Sequence, residues 1–94
     1  MKIYIAGPIT KEPNYKKRFN EVQEFLEEKG HIVLNPALLP PGMEPGEYMK
    51  ICFAMIDVAD EAHFMDGWEW SLGANLEHDY CVYCGKSVRL ASGF

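Results

Sequence analysis

Four short runs rich in β-branched and aromatic residues, Lys2–Ala6 (KIYIA), His31–Asn35 (HIVLN), Glu61–Met65 (EAHFM) and Ser87–Ala91 (SVRLA), are separated by three stretches whose apolar residues recur at helical spacing. This alternation constrains the fold more than any other feature of the chain. A strand that reaches its parallel neighbour only through a helix belongs to a parallel sheet with helices on its faces. After the first run the chain breaks at Gly7-Pro8, and Tyr15, Phe19, Val22 and Leu26 then mark a helix, with Asn14 as N-cap and Gly30 as its stop. The segment LLPPGMEPGE reads as a proline-rich surface loop, and Glu47 to Ala59 as a helix that is apolar almost all round. A third helical pattern follows Ser71. Right-handed crossovers then give a three-layer α/β sandwich with four parallel strands in the order 2-1-3-4.

The 94 residues are expected to form one domain, 1–94, and no apolar run approaches the length of a membrane span. The opening MKIYIAGPIT reads as a strand and a turn rather than a secretory signal, so a cytoplasmic location is expected. A net charge of −5, with nine dispersed Lys and Arg, argues against a nucleic-acid polymer as partner. A small anionic ligand stays compatible with that charge, because backbone amides can hold one. Three cysteines make an odd number and read as reduced thiols. Cys81 and Cys84 form a C-x-x-C with His78 three residues earlier, but only Cys52, on another helix, remains as a fourth metal ligand. Space-filling is the simpler role, and neither metal nor cofactor is expected. The apolar helix asks for cover on two sides, the sheet on one and a second copy on the other, which predicts at least a homodimer.

The order 2-1-3-4 puts a crevice at the carboxyl ends of strands 1 and 3, where the loops AGPIT and MDGWEWSLG meet. Ser71 is the N-cap candidate there, leaving the amides of residues 72 to 74 as an anion site. Long helical side chains lean toward the N-terminus, so Glu77 is expected to lie across Ala74 and Gly73, and Gly73 leaves space above the carboxylate. A carboxylate in such a cleft suits nucleophilic attack on a sugar carbon. The bland reading is a solvated glutamate in the second turn of an ordinary helix. Trp68 and Trp70 alternate across Glu69, and Trp68, nearer strand 3, is the candidate for stacking on a base or for acting as a packing lid. His63 reads as a core or edge residue, Lys17 and Arg18 as a solvated face, and Asp57 equally as a subunit contact or an acid.

Taken in order, KIYIAGPI, NPA after strand 2, GWEWSLGANLE after strand 3 and GKSV before strand 4 resemble the nucleoside 2-deoxyribosyltransferase-like superfamily, and the likeness spans essentially the whole chain. The superfamily includes nucleoside deoxyribosyltransferases and 2'-deoxynucleoside 5'-monophosphate N-glycosidases. The resemblance implies a flavodoxin-like fold, a glutamate nucleophile that forms a glycosyl-enzyme intermediate, and oligomers whose sites borrow residues from a neighbour. It matches Glu77 to the nucleophile, Tyr4 to the tyrosine that orients it, and Gly73 to the glycine before it. Ser71 matches the serine that holds a 5'-phosphate, and Gly7, Pro8 and Ile9 match the loop that wraps the nucleoside. The implied ligand is a nucleoside or nucleoside monophosphate. Two positions depart from the pattern: Ile51 or Cys52 stands where the superfamily carries an Asp that assists base departure, and Asn75 replaces a second glycine. These departures leave a non-catalytic nucleotide-binding or partner-binding module as the alternative.

Overall fold

Each strand is joined to the next through a helix, and every strand pairing is parallel. The computed structural model describes residues 1–91; residues 92–94 of the expected domain lie outside them. The elements are β1 (Lys2–Ala6), α1 (Tyr15–Glu28), β2 (Ile32–Leu34), α2 (Pro45–Val58), β3 (Glu61–Met65), α3 (Leu72–Cys84) and β4 (Ser87–Ala91). Short 3₁₀ turns occupy Pro36–Leu38 and Trp68–Trp70. The sheet order is β2-β1-β3-β4, as the crossover argument requires, and the fold is a flavodoxin-like α/β sandwich.

Side chains alternate across β1 and sort the core into two layers. Ile3 and Ile5, with Met65 of β3, pack under Phe19, Val22 and Leu26 of α1. On the other face Tyr4, Ala6 and Phe64 meet Cys52 and Ile56 of α2 and Cys81 of α3. Complete burial of a Phe or Ile contributes about 1.5–3 kcal/mol, so a few such side chains per layer hold the helices in place.

Element boundaries follow local hydrogen bonding. α2 starts at Pro45, two residues before the expected Glu47, because Glu44 and Glu47 form a reciprocal capping box in which the Glu44 amide donates to Glu47 Oε1 at 2.8 Å. Proline at the first helical position costs nothing, since its missing N–H would be unpaired there. β2 is shorter than expected because Asn35 leaves the strand: its Oδ1 accepts the Ala37 amide at 2.8 Å and its Nδ2 donates to Gln23 Oε1 on α1 at 2.8 Å. Asn14 stands at the N-cap of α1 but makes no side-chain capping bond.

α3 supplies cover that the sequence pattern assigned to a partner subunit. Phe53 of α2 stacks on Tyr80 of α3, with ring centroids 4.2 Å apart and planes 3° apart, and the Tyr80 hydroxyl donates to Asp57 Oδ1 at 2.7 Å. Asp57 thus ties two helices of one chain together. Ile51 and Val58 remain exposed on α2. Among the described residues no helix is long and apolar enough to cross a membrane.

Candidate active site

The loops expected at the carboxyl ends of β1 and β3 do converge, and glycine makes the approach possible. A Cβ on Gly7 would stand 3.2 Å from both Cβ and Cε of Met65, tighter than ordinary contact, so a side chain there would push β1 and β3 apart. Arg18 fastens the same region by donating from Nη2 to the Asp66 backbone oxygen at 2.8 Å, with Glu12 at 3.8 Å from its Nη1. Arg18 is therefore a structural tether rather than a solvated cation.

The segment after β3 departs from the extended reading. It is a 3₁₀ turn, and this turns Trp68 inward, where it stacks on His78 (4.5 Å, 18°) and meets Phe64 edge-on at 5.4 Å. Trp68 packs with the core layer and does not line the cleft. Trp70, 91% exposed, is the tryptophan on the cleft wall. Asn75 explains how the turn is held: its Nδ2 lies 2.8 Å from the Ser71 oxygen, 2.9 Å from that of Glu69 and 3.4 Å from that of Trp68. An asparagine amide that satisfies local carbonyls serves here where the resemblance anticipated a glycine.

The cleft encloses about 700 Å³. Five of the expected site residues line it: Gly7, Ile9, Ser71, Gly73 and Glu77. Pro8 does not; it sits beside Gly67, whose added Cβ would lie 3.4 Å from Pro8 Cγ. Ser71 caps α3, its Oγ accepting the Ala74 amide at 3.2 Å, which leaves the first helical amides and its own hydroxyl proton free to donate. The space that Gly73 leaves is taken by Met49, whose Cε would be 3.3 Å from an added Cβ. A flexible thioether therefore stands where the sequence reading left open room.

Glu77 is only 6% exposed yet borders the cleft. Burial raises its carboxyl from the ordinary 4.5 to about 7, with the neighbouring Tyr4 and Cys52 acting in the opposite direction. Tyr4 is completely buried in β1, within electrostatic reach of Glu77 and Cys52, and burial holds its phenol well above the ordinary range. Its hydroxyl nevertheless closes no hydrogen bond among the described residues. The expected Tyr4–Glu77 bond is thus not formed: the strand fixes the ring, the helix fixes the carboxylate, and layer packing sets their separation.

The sequence reading gave no site role to several residues that line the cleft. Lys11 has a left-handed backbone (φ 65°), a strained conformation for a non-glycine residue, and with Glu77 it is one of two charged side chains among the described cleft residues. Tyr48 donates from its hydroxyl to the Pro40 oxygen at 2.5 Å and accepts the Met43 amide at 3.3 Å, fastening the proline-rich loop as a cleft wall. Met49 and Cys52 belong here too, Cys52 having been weighed as a metal ligand and, with Ile51, as the residue in place of the superfamily's Asp. His63 lies elsewhere, buried at the amino end of the sheet against Glu61 at 2.9 Å. Cys81 is buried in the core and Cys84 exposed.

Comparison with known proteins agrees with this architecture. A 2-desoxiribosyltransferase from Leishmania mexicana superposes with a TM-score of 0.77 at 23% sequence identity, over 99% of this chain and 65% of that one. The chain therefore spans slightly less than two thirds of that protein's length, and a likeness at this identity establishes the fold. Among curated proteins no sequence relative matches. Residues 1–90 match the family described as "Domain of unknown function (DUF4406)", and the chain accordingly belongs to the DUF4406 family.

Proposed function

We propose that the protein cleaves or transfers the N-glycosidic bond of a deoxyribonucleoside or its 5'-monophosphate, with Glu77 as nucleophile. One observation carries the reading: a nearly buried carboxylate at the edge of a 700 Å³ cleft, with its pKa near 7 and no ion pair among the described residues. The ionised carboxylate attacks C1', a C–O bond forms as the C1'–N bond breaks, and the electron pair leaves with the base. Water or a second base then displaces Glu77 from C1' and regenerates the carboxylate, and the proton this nucleophile gives up neutralises the base anion that left. The desolvation that raises the carboxyl pKa also strengthens its attraction for the developing oxocarbenium charge. A 5'-phosphate would take the Ser71 hydroxyl and the amides that open α3. The solved 2-desoxiribosyltransferase that shares the fold supports a deoxyribosyl substrate.

A second reading is a nucleotide-binding module without chemistry. It is favoured by one feature, that Glu77 is the sole carboxylate among the described cleft residues, whereas glycosidases generally use two. The deciding experiment incubates wild type and Glu77→Ala with deoxynucleosides and their 5'-monophosphates and measures free base by chromatography. Release by wild type and none by the variant supports the enzyme. Equal release from both removes Glu77 as nucleophile, and binding without release moves the reading to the module.

The assembly we propose is at least a homodimer. Exposed apolar side chains on the cleft wall, Trp70 and Leu72, support it together with Tyr83 at the far end of α3 and with Ile51 and Val58 on α2. Sedimentation at micromolar concentration is expected to give a dimer or larger; a stable monomer would refute this part alone.

A further inference from the structure

The segment between β2 and α2 faces the cleft with almost no hydrogen-bond donors. Leu39, Pro41, Gly42, Met43 and Pro45 line it, and the two prolines have no N–H to give. The Leu39 amide already donates to the Pro36 oxygen at 3.2 Å, and the Met43 amide to the Tyr48 hydroxyl at 3.3 Å. That hydroxyl in turn donates its own proton to the Pro40 oxygen at 2.5 Å. Of the backbone donors on these five residues, the Gly42 amide alone has no partner among the described residues. Beside them α2 adds the Met49 thioether, which reaches Gly73 of α3, and α3 adds Leu72 and Leu76.

The hydroxyl and ammonium donors of the cleft stand on its other walls. Thr10 and Lys11 come from the loop after β1, Tyr15 from the start of α1, and Ser71 from the cap of α3, next to the amides that open that helix. A deoxynucleotide has the same two-ended chemistry, with acceptor oxygens along its phosphate and sugar and a planar heterocycle at the other end. We propose that the β2–α2 segment is the leaving-group wall: it holds the base by apolar contact without hydrogen bonds to its edge, so that the cleft takes alkylated bases in preference to unmodified ones. This rests on the reading of the cleft as a nucleotide site. Magnitudes separate the two modes of recognition. A site built to hydrogen-bond a polar edge rejects an analogue lacking it by roughly 10⁴–10⁵-fold, whereas an apolar pocket discriminates by about 10–200-fold. On an apolar wall each buried methylene instead tightens binding by roughly fourfold.

The test is calorimetric titration with the four common deoxynucleoside 5'-monophosphates and with N6,N6-diethyl-2'-deoxyadenosine 5'-monophosphate, whose amine has lost both N–H donors. The diethyl compound is expected to bind at least about tenfold tighter than its parent, and the four unmodified compounds to lie within about a hundredfold of one another. In the double variant Met43→Ser, Leu72→Ser the advantage of the diethyl compound should fall to about twofold or less. Leu72 is largely exposed, so a Leu72→Ser protein alone, with a partial loss of the advantage, serves if the double variant does not fold. A diethyl compound that binds no tighter than its parent overturns the proposal, as does a wider spread among the four or an advantage that survives both substitutions. Absence of binding by every nucleotide removes the nucleotide reading of the cleft and this wall with it. Binding in the predicted order without base release supports the wall while the proposed chemistry fails.

Discussion

Glu61 and Glu77 are both largely withdrawn from water, at opposite ends of one small sheet, and the chain treats them in opposite ways. At the amino end, Glu61 borders a cavity of about 460 Å³ and is surrounded by partners: His63 Nε2 at 2.9 Å, Ser87 Oγ at 3.5 Å and Arg89 Nε at 3.9 Å. The His63 bond, with Arg89 beyond it, holds the Glu61 carboxyl below its ordinary range. At the carboxyl end, Glu77 has no ion pair among the described residues, and burial dominates. A carboxylate that is satisfied stabilises the fold and has little left to offer a ligand. One that is buried without a cation costs stability in its ionised form and holds that interaction in reserve, which is the pattern expected of a functional group.

Linkage turns the contrast into measurements of opposite sign. Because folding raises the Glu77 pKa from 4.5 to about 7, the native state holds a proton that the unfolded chain has released, and stability falls as pH rises through that window. The loss is of order 3 kcal/mol. Glu77→Gln should abolish this slope, so that chemical denaturation finds the variant more stable than wild type at pH 8 and the advantage shrinking toward pH 4.5. Glu61 should behave in reverse. Its folded pKa is depressed, so its contribution is present above the unfolded value and lost as pH falls through the folded one. Glu61→Gln is expected to destabilise by about 1 kcal/mol at pH 7, with the difference fading in acid. Matching slopes for the two variants would dissolve the comparison.

Smaller effects sharpen it. Tyr4→Phe removes a buried hydroxyl that favours the ionised form of Glu77, so Glu77 should titrate higher, while stability changes by less than about 1 kcal/mol because the hydroxyl closes no hydrogen bond among the described residues. Any base release should suffer less than in Glu77→Ala. Smaller still is Gly73→Ala: the added methyl meets only the mobile end of Met49, and alanine favours the helix by up to about 1 kcal/mol. Thermal stability is therefore expected to hold or rise while nucleotide affinity, read by calorimetry, falls as the cleft narrows.

The strands, the helices and their order were legible because periods of two and 3.6 and right-handed crossovers leave few arrangements for so short a chain. Ser71 as N-cap was legible for a similar reason, since it depends on spacing within one helix. What depended on contacts between layers was not. The inward turn of Trp68 follows from its stack on His78 and from Asn75 gathering the turn carbonyls, neither of which a sequence displays. Nor did the sequence show that α3 covers α2 through Phe53 and Tyr80, or that Met49 fills the space above Gly73. The burial of Glu77 belongs to the same class: it arises only when α2, α3 and β1 close around it.

The central claim is that Glu77 forms a covalent bond to a deoxyribosyl carbon, and intact-mass spectrometry of protein quenched during incubation with a deoxynucleoside 5'-monophosphate tests it most directly. The account predicts an adduct of one deoxyribosyl phosphate per chain, mapped by fragmentation to the peptide carrying Glu77 and absent from Glu77→Gln. Base release without that adduct in wild type, or with an adduct mapped to another residue, would contradict it.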